Sequence, residues 1–190
     1  MSLYIMVTHP SILLIEDSPG ECELFRLALA QTSLDVVLYT EHDADAALHF
    51  LNDRYHQSSL QARSYPLQEG GLNWSPTARV QRGESSTARC ASTGDQSGHP
   101  SLILLDLQLR GQNGCDLLKR LRSDPRFAAI PVVVFTTSDD QTDLARCYAS
   151  GANGYVVKPG TFEELIHCTS DICRYWLKWN RSLLMADTRC

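Results

Sequence analysis

The chain has no apolar run long enough to span a bilayer, which takes about 20 consecutive apolar residues. Its longest runs, such as Ile12 to Ile15 and Val132 to Phe135, are short. It also lacks an excess of positive charge: 17 Lys and Arg stand against 22 Asp and Glu, a net charge of -5. That balance removes the electrostatic footprint of a nucleic-acid binder. Met1 to Ile15 carries no basic n-region, and Pro10 interrupts it before an acidic pair, so it does not read as a secretory signal. Cysteine is present without any C-x-x-C pair. The seven (Cys22, Cys90, Cys115, Cys147, Cys168, Cys173 and Cys190) are odd in number and scattered. Zinc would want close pairs of ligands and a disulfide scaffold an even count, so they read as reduced, buried fillers. Two sequons, Asn73-Trp74-Ser75 and Asn180-Arg181-Ser182, read as chance matches in a chain without an export signal. The expectation is a soluble, cytoplasmic protein with no nucleic-acid or membrane partner.

What is present is 190 residues, 43% hydrophobic and 21% charged, enough for one domain with a sizeable core. Short apolar runs alternate with helical patterns. Ile12 to Ile15 predicts a strand buried on both faces. Ser18-Pro19-Gly20-Glu21 then matches a capping box with Pro at the first helical position, and Leu24, Leu27, Ala28 and Gln31 follow at helical spacing. Asp35 to Tyr39 predicts a second strand and Asp43 to about Leu51 a second helix. Leu102 to Leu105 is the third strand, before a Gly-containing turn and a helix with Leu117, Leu118 and Leu121. Pro131 introduces a fourth, Val132 to Phe135, and Ser138-Asp139-Asp140-Gln141 reads as another capping box. Tyr155 to Val157 is the fifth strand, and Thr161-Phe162-Glu163-Glu164 caps the last helix. Five strands alternating with five helices predict an α/β fold, a parallel sheet covered on both faces.

One segment breaks the rhythm. Residues 55–100 turn rich in Ser, Thr, Gly, Arg and Gln and read as a flexible insertion between the second helix and third strand, which logarithmic loop-closure entropy tolerates. A partner-docking arm anchored by Trp74 is the less favoured reading.

In open α/β sheets function gathers at the carboxyl ends of the strands. There the sequence places Glu16-Asp17 after strand one, Asp106 after strand three, Thr136-Thr137 after strand four and Lys158-Pro159 after strand five. Singly, each is an ordinary turn or surface residue. Together they put three carboxylates, a hydroxyl and an amine in one crevice. Neighbouring carboxylates repel unless a cation neutralises them, and an all-oxygen site suits Mg²⁺. Metal and ammonium together could offset the charge of a phosphoryl group, and a carboxylate so held can attack phosphorus to form an acyl phosphate.

With these residues the chain resembles the receiver domain of bacterial two-component response regulators. The matching segments are Ile12 to Ser18, Leu102 to Asp106 with Gly114 eight residues on, Pro131 to Thr136, and Gly151 to Pro159. The resemblance implies a flavodoxin-like strand order 2-1-3-4-5 within a receiver spanning residues 9–180, followed by a tail at 181–190. It implies Asp106 as phosphoacceptor, loaded by a sensor histidine kinase or phosphotransfer protein. Glu16, Asp17, Asp106 and the main-chain carbonyl of Gln108 would bind Mg²⁺. Thr136 and Lys158 would hold the phosphoryl oxygens, and Tyr155 would turn inward as Thr136 moves. Gln108 and Ser138 occupy positions that tune acyl-phosphate hydrolysis, and the bond matching Lys158-Pro159 is often cis in such receivers. Such a protein is no enzyme beyond its own phosphorylation and slow self-dephosphorylation. Two positions depart from the family: Arg110 stands where many receivers have Pro, and Gly160 replaces a common apolar residue after Lys-Pro.

Only Arg174 to Cys190 follows the last helix, whereas a DNA-binding domain would need about 60 residues. A stand-alone receiver signalling by protein–protein binding is therefore expected. Thr136-Thr137-Ser138 and the long last helix with Tyr175-Trp176-Leu177 are similar to the small regulators that partner bacteriophytochrome-type kinases. Ile172, Cys173, Trp176 and Trp179 share a helical stripe; packing explains the first three, while Trp179 leaves a homodimer or kinase contact open. The alternatives are a phosphorylation-independent pseudo-receiver scaffold, a flavin- or nucleotide-binding flavodoxin-like module, and a haloacid-dehalogenase-type phosphatase. Glu16-Asp17 stands where the second needs a phosphate cradle, and Gln108 where the third needs an Asp.

Overall fold

The computed structural model describes residues 9–63 and 99–181. Five parallel strands form its sheet: β1 (Ser11–Ile15), β2 (Val37–Glu41), β3 (Leu102–Leu105), and two more numbered below. A two-residue antiparallel hairpin, β4 (Gln108–Leu109) with β5 (Gln112–Asn113), stands apart. The last sheet strands are β6 (Val132–Thr136) and β7 (Gly154–Val157), and the order β2-β1-β3-β6-β7 is the expected one. The helices are α1 (Pro19–Gln31), α2 (Ala44–Arg63), α3 (Gly114–Ser123), α4 (Gln141–Ala149) and α5 (Phe162–Cys173). A π-helical turn, Arg174–Trp179, extends the last. Among the described residues no helix is long and apolar enough to cross a membrane.

The three central strands are wholly buried because helices cover both faces. On one face Leu13, Ile15, Ile103 and Leu105 meet Ala47 and Leu51 of α2 and Leu117, Leu118 and Leu121 of α3. On the other Ile12, Leu14, Leu102 and Leu104 meet Phe25 of α1 and Ile172 and Cys173 of α5. The period of two along each strand splits its side chains between these cores. Burial pushes the Cys147 and Cys173 thiols up to about 12. They act as small apolar fillers, as expected, and Cys115 and Cys147 are free thiols sharing an S–H···S hydrogen bond at 3.1 Å.

Several expectations need correction. Of the residues at helical spacing on α1, Ala28 is buried, together with Cys22, Phe25 and Leu29, whereas Leu24 and Leu27 are exposed. Strand β2 lies two residues later than predicted. Helix α2 runs past Leu51 to Arg63, into the predicted insertion. Tyr55 continues the stripe of Ala44, Ala47 and Leu51, stacks near His99 and lies under the Arg126 guanidinium. The remainder of the insertion, including Trp74, lies outside the described residues. Asp140, not Ser138, caps α4, accepting from the Thr142 N–H at 2.6 Å. The Ser138 hydroxyl instead donates to Asp143 at 2.8 Å. The Lys158–Pro159 bond is trans. The packing expected of the last stripe is present for Ile172, Cys173 and Trp176, while Trp179 is 70% exposed.

Candidate functional site

Register brings the site together. Ile12 pairs with Leu102 and Ile15 with Leu105, so Glu16 and Asp106 leave neighbouring strands at the same level. The Asp106 N–H donates to the Ile15 carbonyl at 3.0 Å, and the Lys158 N–H to the Thr136 carbonyl at 2.7 Å. Four residues separated by up to 142 positions in sequence thus meet at one sheet edge. Gly114 lets the loop after Asp106 fold back closely: a Cβ there would lie 2.4 Å from the Asp106 carbonyl oxygen.

Lys158 is the hub, its side chain only 9% exposed. Its Nζ donates to Glu16 at 2.5 Å, to Asp106 at 3.1 Å, and to Glu21. The Glu16 carboxylate also accepts the Ser18 N–H at 3.0 Å, and its carbonyl faces His42 Nδ1 at 2.9 Å. The other Asp106 oxygen accepts the Leu107 N–H at 2.6 Å and the Gln108 N–H at 3.3 Å. Burial pulls the Lys158 ammonium down, but hydrogen bonds to Glu16 and Glu21 and the charge of Asp106 outweigh it and hold it above its ordinary value. Burial also pushes the Glu16 carboxyl up, against the lowering effect of Lys158. Three carboxylates share one ammonium, leaving two formal negative charges in excess.

Glu16, Asp106 and Lys158 are therefore brought together as the sequence predicts, with Thr136 buried beside them at the end of β6. The Thr136 hydroxyl accepts the Ser138 N–H at 3.4 Å. Tyr155 lies half-buried against Cys115, Cys147 and Val134, its hydroxyl donating to the Ser138 carbonyl at 2.9 Å. Asp17 stands apart from the cluster, paired with Arg110 Nε at 3.3 Å. Gln108 lies exposed on the β4–β5 hairpin just past Asp106.

Glu21 is the residue that sequence reasoning missed. One of its carboxylate oxygens lies within 4.8 Å of an oxygen of Glu16 and of one of Asp106. The capping box named the residue but assigned it elsewhere: Ser18 does cap α1, accepting the Glu21 N–H at 3.4 Å. The reciprocal bond is replaced, because Glu16 already holds the Ser18 N–H and Glu21 turns to Lys158. The carboxylate set, all hard oxygen donors with net negative charge, fits a divalent cation such as Mg²⁺. A wider cleft of about 800 Å³ between α2 and α3 carries charges already paired, Arg120 with Asp45 and Arg126 with Asp124.

Residues 73–170 match the response regulator receiver domain family. The chain is 45% identical over 83 residues to a probable methanogenesis regulatory protein, FilR2, of Methanothrix harundinacea, covering 44% of this chain and 54% of that one. The chain thus spans about half the length of that relative. It is 28% identical over 167 residues to the response regulator Rcp1 of Synechocystis, covering 88% of each. Among solved structures it is similar to the phosphorylated cyanobacterial phytochrome response regulator RcpA, with a TM-score of 0.65, 25% identity, and 93% and 99% of the two chains covered. The Mn²⁺-bound form of Rcp1 gives a TM-score of 0.61 at 26% identity, covering 91% and 98%.

Proposed function

The chain belongs to the response regulator receiver domain family, and we propose that it is a phosphoacceptor switch whose output is altered protein–protein binding in the cytoplasm. Asp106 takes the phosphoryl group from a sensor histidine kinase or phosphotransfer protein. The observation that carries this reading is the setting of Asp106, a nearly buried carboxylate between the Lys158 ammonium and two main-chain N–H groups. One Asp106 oxygen forms a bond to phosphorus as the bond from phosphorus to the donor's leaving atom breaks. The leaving group departs with that electron pair. Lys158 offsets the charge of the transferring group, and the Thr136 hydroxyl donates to one of its oxygens.

Glu16, Asp106 and the Gln108 carbonyl, with Asp17 once Arg110 releases it, would hold Mg²⁺, whose charge would offset the crowded carboxylates and the phosphoryl oxygens. As Thr136 turns toward the phosphoryl group it draws on the Ser138 N–H, and Tyr155, tied to the Ser138 carbonyl, turns inward with it. The surface of α4, β7 and α5 changes in consequence. The protein catalyses no reaction beyond its own phosphorylation and slow self-dephosphorylation.

The test is intact mass after incubation with acetyl phosphate and Mg²⁺, for the wild type and Asp106→Asn. A single phosphoryl adduct on the wild type alone, abolished by chelator, is the expected outcome. No adduct on a folded wild-type protein would replace this reading by that of a phosphorylation-independent scaffold.

A further inference from the structure

Lys158 has three N–H donors, and all three are committed to Glu16, Glu21 and Asp106. We propose that Glu21 is a positioning residue that competes with the phosphoryl group for Lys158, and so sets how fast Asp106 is loaded and how long it stays loaded. The inference rests on the phosphoacceptor reading of Asp106.

Loading places new anionic oxygens beside Lys158, so one carboxylate must give up its hydrogen bond. The three are not equally held. Glu16 is buried and also accepts the Ser18 N–H; Asp106 is itself the acceptor and is fixed by the Leu107 N–H. The Glu21 side chain is 41% exposed, and among the described residues its carboxylate has no anchor besides Lys158. Of the two carboxylates that border the adjoining cavity, Glu16 and Glu21, the latter is the one open to solvent. It sits in the first turn of α1, where an open cavity of about 180 Å³ lies between Glu21, Lys158, Pro159 and Leu165. Release of Glu21 to solvent frees one Lys158 donor without disturbing the sheet.

The charge of Glu21 acts in the same direction as its hydrogen bond. With an oxygen within 4.8 Å of one on Asp106, it repels an anionic donor on approach and an acyl phosphate once formed. Removing that charge while keeping the shape of the side chain should therefore speed loading and slow loss. A merely structural Glu21 would do neither, and its replacement would not respond to salt.

The experiment follows adduct formation and decay by intact mass, with acetyl phosphate and Mg²⁺ at low and high ionic strength. It compares the wild type, Glu21→Gln and Glu21→Ala, with thermal melting to show that each is folded. Both variants should load about three- to tenfold faster at subsaturating donor and keep the adduct longer by a similar factor. That advantage should shrink as salt screens the charge. Equal rates and lifetimes in the wild type and Glu21→Gln, or a difference indifferent to salt, would overturn the proposal while leaving Asp106 as the acceptor. A folded wild type that takes no phosphoryl group, with Glu21→Gln equally inert, would remove the phosphoacceptor reading and this one with it.

Discussion

The two ends of the sheet solve opposite problems. At the carboxyl end three carboxylates crowd one ammonium and leave negative charge in excess. At the amino end one guanidinium is surrounded by neutral acceptors. Arg122, on the last turn of α3, donates from Nε to the Gly151 carbonyl at 2.8 Å and from Nη1 to Ala128 and Ile130 carbonyls at 3.1 and 2.9 Å. Its Nη2 donates to Asn153 Oδ1 at 2.6 Å, and that same oxygen accepts the Val132 N–H at 2.8 Å. Gly151 makes the close approach possible: its φ is +94°, and a Cβ would fall 2.9 Å from Arg122 Cγ. One end is complete without a ligand, and the other becomes balanced only when a cation arrives. Stability should therefore reside at the first and function at the second.

The largest effect is expected at the amino end. Arg122→Ala removes the partner of three carbonyls and an amide oxygen at the entry to β6 and β7, and should cost about 2–3 kcal/mol. Urea unfolding would measure the loss, and loading of Asp106 under native conditions should stay within about twofold of wild type. A variant as stable as the wild type, or one that no longer takes a phosphoryl group while folded, would break the division between the two ends.

At the carboxyl end the expected sign is reversed. Asp106→Asn keeps an oxygen for the Leu107 N–H but removes one of the three charges around Lys158, relieving repulsion in the metal-free protein. It should gain about 1 kcal/mol in chelator, the size of a relieved, partly screened charge contact. Mg²⁺ should stabilise the wild type more than the variant, since binding to the native state adds stability in proportion to affinity. Denaturant titrations with and without Mg²⁺ would show both, and a variant less stable than the wild type in chelator would contradict the charge count.

The same contrast explains what could be seen in the sequence. Continuous apolar runs marked β1, β3 and β6, because strands buried on both faces carry no polar alternation to confuse them. Their carboxyl ends then located Glu16, Asp106, Thr136 and Lys158. The edge strand β2 was displaced because its half-buried residues carry a weaker pattern. The buried face of α1 is not legible, because Leu24 and Leu27 match the helical period as well as Cys22 and Phe25 do, and only the sheet decides between them. Helix α2 overran its expected end because nothing between Leu51 and Arg63 is a helix breaker. Glu21 escaped because its local role as a capping residue has a known signature, whereas its bond to Lys158 spans 137 positions. Arg122 escaped for the same reason, as its acceptors are mostly backbone carbonyls, which every residue possesses.

The smallest effect concerns the outer rim of the crevice. The Arg110 side chain is 78% exposed and meets Asp17 at 3.3 Å, a geometry worth only about 0–1 kcal/mol to the fold. Its consequence is for the cation. A guanidinium resting on Asp17 must be displaced for that carboxylate to serve as a ligand, and its positive charge opposes the approach of a second cation. Arg110→Ala should leave stability within about 0.5 kcal/mol and tighten Mg²⁺ about twofold at low salt, a gain that fades as ionic strength rises. Calorimetric titration would read the affinity directly. Weaker binding in Arg110→Ala would mean that the side chain holds the loop after Asp106 in place instead of competing for Asp17. The exposed rim would then belong with the fixed, structural end of the molecule rather than with the charge-imbalanced crevice beside it.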